Sequence, residues 1–284
     1  MTSLETSPAW RTIHPALSTQ LSESRLQLHY AAQFATALGI SYLTPKADDS
    51  HTNLGWDGRL EALKSRGVRT SSHLTEVAIR PSDLTLLVLL DGSIGNRIPL
   101  HGSTIGQAEI ALRDALSSAG LNGKRFTLNR HYELPAHPVS QGANFDTSRR
   151  EALEQLTAWY ANASGVLEDF RSRIRSEEVR CWPHHFDIAT FAPFAPGRSS
   201  SIGMLPGDEM YPEPYFYVNA YPAPAPQAMP DESALAGGGV WNSDGWFGAV
   251  LTGSRLTADP SAQAEQIHAF LDSAFRTCAS LLRS

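Results

Sequence analysis

The segment Arg180-Cys-Trp-Pro-His-His-Phe-Asp-Ile-Ala-Thr-Phe191 places two histidines side by side and an aspartate two residues beyond the second. Read as a β-strand, it alternates its side chains between two faces. Trp182, His184, Phe186 and Ile188 then share one face, and Cys181, Pro183, His185, Asp187 and Ala189 the other. The adjacent histidines are thereby separated, and the chemical pair becomes His185 with Asp187. A carboxylate beside an imidazole raises its pKa and fixes its tautomer, which suits a general base or a metal ligand. The plainer alternative has both residues bonding backbone groups at a strand edge.

Downstream, Asp208, Glu209 and Glu213 fall in a turn stiffened by Pro206, Gly207, Pro212 and Pro214. Three carboxylates in so constrained a loop resemble a preorganised acidic patch. With one imidazole they would suit a divalent cation such as Zn²⁺, Mn²⁺ or Mg²⁺. No HExxH and no second ligand-spaced histidine supports a metal assignment, and a Pro-Gly-Asp turn also serves simply to face water. Arg198 is available to an anionic ligand group. Trp182, Tyr215, Tyr217, Trp241 and Trp246 would line an aromatic cleft. Further upstream, His29 and Gln33 lie four apart on a helical stripe. Unpaired burial of either would cost about 1–3 kcal/mol, so they form a satisfied core pair or line a pocket. His51 and Asn53, just before Trp56, fit a ligand cleft or an ordinary turn. His101 reads as an exposed imidazole beside a helix cap. The run Gly197-Arg-Ser-Ser-Ser-Ile-Gly203 lacks the G-x-S-x-G elbow of serine hydrolases. Neither GxGxxG after a strand nor a Walker loop occurs, which argues against dinucleotide and P-loop nucleotide binding.

Trp182, Pro183, His185, Phe186, Asp187 and Ala189 are followed by Pro206-Gly207-Asp208, by Pro214, Tyr215, Tyr217 and Val218, and by Trp241, Gly248 and Ala249. This succession resembles a group of uncharacterised bacterial proteins with the hallmark Trp-Pro-x-His-Phe-Asp-x-Ala, Pro-Gly-Asp, Pro-x-Pro-Tyr-x-Tyr-Val. The likeness covers roughly the last third of the chain. His184 departs from it, standing where an acidic residue is expected. Upstream, "LQLHYAAQ" and "SHTNLGW" resemble a second family of unknown function. The resemblance implies no activity; it implies that the second half is one cooperative unit.

The elements that must position these residues can be read from periodicity. Residues to about Gln20 read as an irregular arm. Leu26, Tyr30, Phe34, Ala37 and Leu38 make one helical stripe over Ser22–Leu38. "HLTEVAIRP", "DLTLLVLLDG" and "NRIPLHG" read as antiparallel strands, the second apolar throughout and so covered on both faces. Thr104-x-x-Gln107 is a capping box opening a helix to about Ala119. "KRFTLN" reads as a strand, and residues 130–146 show neither period. Ser148-x-x-Glu151 is a second capping box before a long helix with the stripe Leu153, Leu156, Tyr160, Ala163, Leu167, Phe170 and Ile174. Strands over "SSIGMLPGDE", "PYFYVNAYP" and "GWFGAVL" follow. "AYPAPAPQAMP" reads as a polyproline-like linker and Gly237–Gly239 as a flexible hinge. Asp259-Pro260 caps a last helix with Ala264, Ile267, Phe270, Leu271, Ala274, Phe275, Cys278 and Leu282 on one stripe.

The expected class is therefore α+β, mainly antiparallel sheets packed by long amphipathic helices. Residues 1–284 form one domain, divisible into pseudo-halves 1–145 and 146–284. With 284 residues, of which 42 % are hydrophobic, the chain buries a sizeable core. A net charge of −6 with no Lys/Arg cluster argues against nucleic acid. No apolar run is long enough to cross a bilayer, and the first residues lack a signal-peptide pattern. Cys181 and Cys278, far apart, read as reduced thiols of a cytoplasmic protein. Three functions fit: an enzyme acting on a small polar molecule through His185, Asp187 and an acidic partner; a non-catalytic domain with an aromatic ligand cleft; or a homodimeric interaction module. No cofactor is named by these patterns.

Overall fold

The computed structural model describes residues 10–224, 230 and 235–283. Among them the helices are α1 (Pro15–Ser18), α2 (Ser22–Tyr42), α3 (Ile105–Ser118), α4 (Arg150–Ile174) and α5 (Pro260–Arg283). The strands are β1 (Gly55–Asp57), β2 (Ala62–Lys64), β3 (Val68–Arg69), β4 (Leu74–Arg80), β5 (Thr85–Leu90), β6 (Ser93–Pro99), β7 (Arg180–Trp182), β8 (Asp187–Ala195), β9 (Arg198–Leu205), β10 (Tyr215–Asn219), β11 (Val240–Asn242) and β12 (Gly248–Thr252). The fold is α+β with two antiparallel sheets. The chain divides into two compact units. The first comprises 21–157 and 180–186; the second comprises 1–20, 158–179 and 187–284. The His-His turn thus belongs to the first unit, and the chain changes unit between Phe186 and Asp187.

In the first unit the sheet runs β1-β2-β4-β5-β6, with β3 also on β4. Leu86 to Leu89 of β5 are at most 2 % exposed, as a strand covered on both faces requires. α2 packs on β4 and runs one turn past the expected Leu38. It is not striped: every residue from Gln27 to Gly39 is buried, a helix enclosed all round. The first capping box is formed with both arms, Thr104 N–H to Gln107 Oε1 at 2.9 Å and Gln107 N–H to Thr104 Oγ1 at 3.3 Å. At the second, α4 starts at Arg150 and the Ser148 hydroxyl donates to Asp146 Oδ2 at 2.8 Å. "KRFTLN" is not a strand. Asn122 caps a single 3₁₀ turn at Gly123–Arg125, Arg125 donates to the Ser41 carbonyl (3.1 Å), and Thr127 N–H bonds the Ser41 hydroxyl (2.9 Å). Its polar groups are drawn to the end of α2 instead of a ladder.

In the second unit the sheet runs β11-β12-β10-β9-β8, and α5 packs on β8, β9, β10 and β12. Asp259 caps α5 by accepting Ser261 N–H at 2.9 Å. Ile267, Phe270, Leu271, Ala274, Cys278 and Leu282 are buried as the stripe demands, with Ala264 and Phe275 half-buried. Residues 10–20 are not an irregular arm but stitched down. Gln263 accepts Ile13 N–H (3.1 Å) and donates to its carbonyl (2.7 Å), and Asn162 does the same for Arg11 at 3.0 and 2.7 Å. α1 follows directly. The Gly237–Gly239 run is not a hinge. A Cβ on Gly237 would come 2.5 Å from the Gln266 carbonyl, and one on Gly239 equally near the Phe270 ring, so the run is glycine because it passes tightly against α5. Residues 225–229 of the proline-rich stretch, and those before 10, lie outside the described residues. Cys181 and Cys278 are buried thiols in different units, the latter pushed up to about 12 by burial. No helix among the described residues is long and apolar enough to cross a membrane.

Gly39, inside α2, shows how tightly the first unit closes. A Cβ there would sit 2.2 Å from the His51 carbonyl oxygen, which is backbone and cannot swing away. In an unconstrained helix Gly→Ala gains up to about 1 kcal/mol; here the collision reverses the sign. Gly39→Ala is expected to lose about 1–3 kcal/mol of stability in urea denaturation, and an unchanged or raised midpoint contradicts the close passage.

Candidate functional site

The expected strand through the two histidines is broken. β7 ends at Trp182, because Pro183 has no N–H to continue a ladder. Pro183 to Phe186 form a tight turn in which Phe186 N–H reaches the Trp182 carbonyl at 2.6 Å. Phe186 lies at φ 64°, a left-handed conformation that costs about 1–2 kcal/mol for an L-residue. Its ring is held flat on the His29 imidazole, with centroids 4.5 Å apart and planes 2° from parallel. His29 Nε2 and Gln33 Nε2 both meet the Pro183 carbonyl, at 2.8 and 3.3 Å. Gln33 also donates to the His29 carbonyl (3.1 Å) and accepts the Tyr132 hydroxyl (2.8 Å). Burial, with Arg25 and Arg130 near, pushes the His29 pKa down to about 4. The ring is therefore neutral at pH 7, and its Nε2–H is the donor to Pro183. His29 and Gln33 are a satisfied core pair, not a pocket lining.

This turn undoes the expected pairing of His185 with Asp187. His185 points to solvent with its ring centroid 4.4 Å from that of His184. His184 is half-buried against Tyr132 and Trp182, and burial, with His185 alongside, lowers its pKa. Asp187, by contrast, is buried in the second unit and accepts the Tyr217 hydroxyl at 2.6 Å. His51 is likewise a loop fastener: its Nδ1 accepts Lys46 N–H at 3.2 Å, and Asn53 accepts Arg66 Nε at 3.1 Å. His101 is exposed and accepts Thr147 N–H at 3.2 Å.

In the second unit the acidic turn is knitted by separate bonds rather than gathered round one point. Asp208 accepts the Tyr215 hydroxyl (2.6 Å) and Tyr211 N–H (2.7 Å). Glu213 accepts both the N–H and hydroxyl of Ser254, at 2.5 and 2.7 Å. Glu209 faces solvent. Among the described residues no three His, Cys, Asp or Glu side chains converge as a metal site. The expected aromatic cleft is also closed. Tyr215 and Tyr217 are buried, and Trp241 stacks on Phe247 with centroids 5.2 Å apart. Burial and the adjoining carboxylates raise both tyrosine pKa values far above the ordinary 10, so the hydroxyls stay protonated and donate. The path from Tyr217 on β10 to Asp187 on β8 crosses β9 at Gly203, the register partner of both Tyr217 and Ala189. A Cβ on Gly203 would meet Tyr217 Cε1 at 2.8 Å; its absence lets the ring lie across the strand.

Further along the same face the sheet is open. A hollow of about 640 Å³ is bordered by Phe191, Pro193 and Ala195 of β8, by Gly197, Arg198, Ser199 and Ser201 at the hairpin and β9, and by Asn219 and Tyr221. Phe191 and Tyr221 are 38 % and 65 % exposed. Of the site residues expected from sequence, Arg198 alone borders this hollow. It is exposed, and its Nη1 is anchored on the Leu282 carbonyl at 2.9 Å. The signal that could have found the rest is alternation across the three strands. Ser200 turns inward and bonds the Asn219 carbonyl at 2.6 Å, so Ser199 and Ser201 must face out beside the odd-numbered aromatics.

Two outcomes follow from these bonds. A histidine held neutral in the fold gives stability that is complete above its ordinary pKa of 6.5 and is lost as pH falls toward about 4. The His29 contribution should drop by about 2 kcal/mol between pH 7 and pH 5. Comparing wild type with His29→Gln by denaturant titration at both pH values should show the smaller acid loss in the variant; equal losses exclude His29 as the source. Separately, Tyr217→Phe keeps the ring over Gly203 but removes the donor to Asp187, and should cost about 1–3 kcal/mol, read from the thermal midpoint and ΔH of unfolding. No protein-family model, no curated protein and no solved structure matches this chain.

Proposed function

We propose that the protein is a non-catalytic binder of a small molecule, seated in the hollow on the β8-β9-β10 face. The observation that carries this reading is the hollow itself. Its roughly 640 Å³ lies within the span typical of small-ligand sites. It combines the exposed aromatic surface of Phe191 and Tyr221 with a few polar groups, Ser199, Ser201 and Asn219, the composition by which such sites hold and orient a ligand. The enzymatic reading finds less support. It needs an imidazole, its orienting carboxylate and a second acid acting together. Here His185 stands on the solvent side of a turn, while Asp187, Asp208 and Glu213 are each taken up by a tyrosine or serine.

A fragment screen read by amide chemical shifts tests the proposal. Binders should perturb Phe191, Ser199, Ser201 and Asn219 together. Ser201→Trp, which fills the floor, should abolish those shifts with the thermal midpoint within a degree or two of wild type. His185→Ala should leave them intact. Perturbations centred on His184 and His185 would instead favour the enzymatic reading.

A further inference from the structure

We infer that the ligand of this hollow is a neutral oligosaccharide of at least two linked sugar rings; the inference deepens the binding reading above and rests on it. The span comes from the register. Phe191 on β8 is paired with Ser201 on β9, and Pro193 with Ser199; Ser199 is in turn bridged to Tyr221. Residues directly opposite on paired strands share a face, so Phe191, Ser199, Ser201 and Tyr221 all stand on the open side. Phe191 and Tyr221 occupy diagonal corners, with β9 running between them. Two strand spacings across and one side-chain repeat along separate their attachment points by roughly 12 Å. Ser199 and Ser201 lie between, side chains too short to fill the space. Each exposed aromatic side chain offers a flat apolar surface, and the C–H face of a sugar ring packs on such a surface. Two aromatics so far apart call for two sugar units, one at each corner.

Neutrality comes from the alternation. Of the nine described residues bordering the hollow, Arg198 alone is ionised. It shares the face of Ser200 rather than that of Ser199, and its Nη1 is held by the Leu282 carbonyl of α5 at 2.9 Å. Among these nine residues the open side therefore presents no ionised group. A charged ligand there would give up hydration without meeting a counter-charge. What the open side presents is hydroxyl and amide. Ser199, Ser201 and Tyr221 supply hydroxyls, each both a donor and an acceptor. Asn219 adds direction: Ser201 N–H donates to its Oδ1 at 2.7 Å, which identifies Nδ2 as the donor end of the amide. A sugar hydroxyl is likewise donor and acceptor at one atom, so it pairs with any of these groups. A flat hydrocarbon would cover the serines and the amide without pairing them, which opposes binding. A ring with an apolar face and a hydroxyl rim satisfies both kinds of surface.

The probes are cellobiose, maltose, lactose and N,N′-diacetylchitobiose, titrated calorimetrically into the full chain beside glucose, the cationic chitobiose and naphthalene-2-methanol. At least one neutral disaccharide should bind, with an affinity unmoved by salt. Glucose, which reaches only one aromatic corner, should bind about tenfold more weakly. Chitobiose should bind more weakly than its acetylated form. Phe191→Ala and Tyr221→Ala, both at exposed positions, should each weaken the disaccharide about tenfold. Should either variant fail to fold, the probe series on the wild type still decides. Affinity that stops rising at two units marks a free disaccharide, and affinity that climbs with cellohexaose or maltohexaose marks a polysaccharide chain; both support the class. Binding of naphthalene-2-methanol without any disaccharide overturns the sugar class while the hollow stands as a site. Preference for chitobiose, glucose binding as tightly as the disaccharides, or disaccharide binding unmoved by both alanine variants also overturns it. No binding of any probe at millimolar concentration overturns the class and the binding reading together.

Discussion

A single backbone carbonyl governs the layout of the chain. The oxygen of Pro183 is taken by His29 and Gln33, two polar side chains on a helix otherwise buried in apolar surroundings. Buried polar groups must find partners, and here an irregular turn brings one carbonyl to both side chains. The turn in turn needs a left-handed Phe186, stabilised by its stack on the same imidazole. Where the turn ends decides where β8 begins. Because side chains alternate along a strand, a shift of one residue would exchange its two faces. The position of Asp187 opposite Tyr217, and of Phe191 and Pro193 on the open side, both follow from that starting point.

The face so defined is divided by side-chain size. At one end Gly203 leaves a gap that the Tyr217 ring fills, carrying its hydroxyl to Asp187, and Trp246 lies similarly over Gly248. At the other end the central strand offers serines where the first half offers glycine, and these border the open hollow. The same sheet thus has a sealed region, in which carboxylates are bound to tyrosines, and an open region bordered by Arg198. Residues with the most chemical character have gone to the sealed region, where they hold structure.

What could be read from sequence was whatever depends on regular spacing or on local caps. The stripe of α5, its Asp259 cap, the Thr104–Gln107 capping box and the apolar β5 all depend on residues within a few positions of each other. What escaped depends on distant partners. His185 and Asp187 are neighbours on one strand face only if Pro183 is allowed to sit in a strand, and the bonds that hold the turn come from α2, about 150 residues earlier. "KRFTLN" has strand composition, but Ser41 and α3 claim its polar groups. Gly237–Gly239 signals freedom in isolation, whereas the proximity of Gln266 and Phe270 makes small size the requirement. The carboxylates Asp187, Asp208 and Glu213 stand out in the sequence; their tyrosine and serine partners lie on other strands and loops, and no local pattern announces them.

The amide clamps of Gln263 and Asn162 on residues 11 and 13 have a bearing on how the protein is made. In the second unit Arg11 is fastened by Asn162 of α4, whereas Ile13 is fastened by Gln263 of α5, 250 positions on. The first unit holds all of its parts once residue 186 has emerged. Synthesis therefore offers the first unit a head start, while residues 11 and 13 wait for partners made some 150 and 250 positions later, so the second unit closes after the first although it includes the earlier residues.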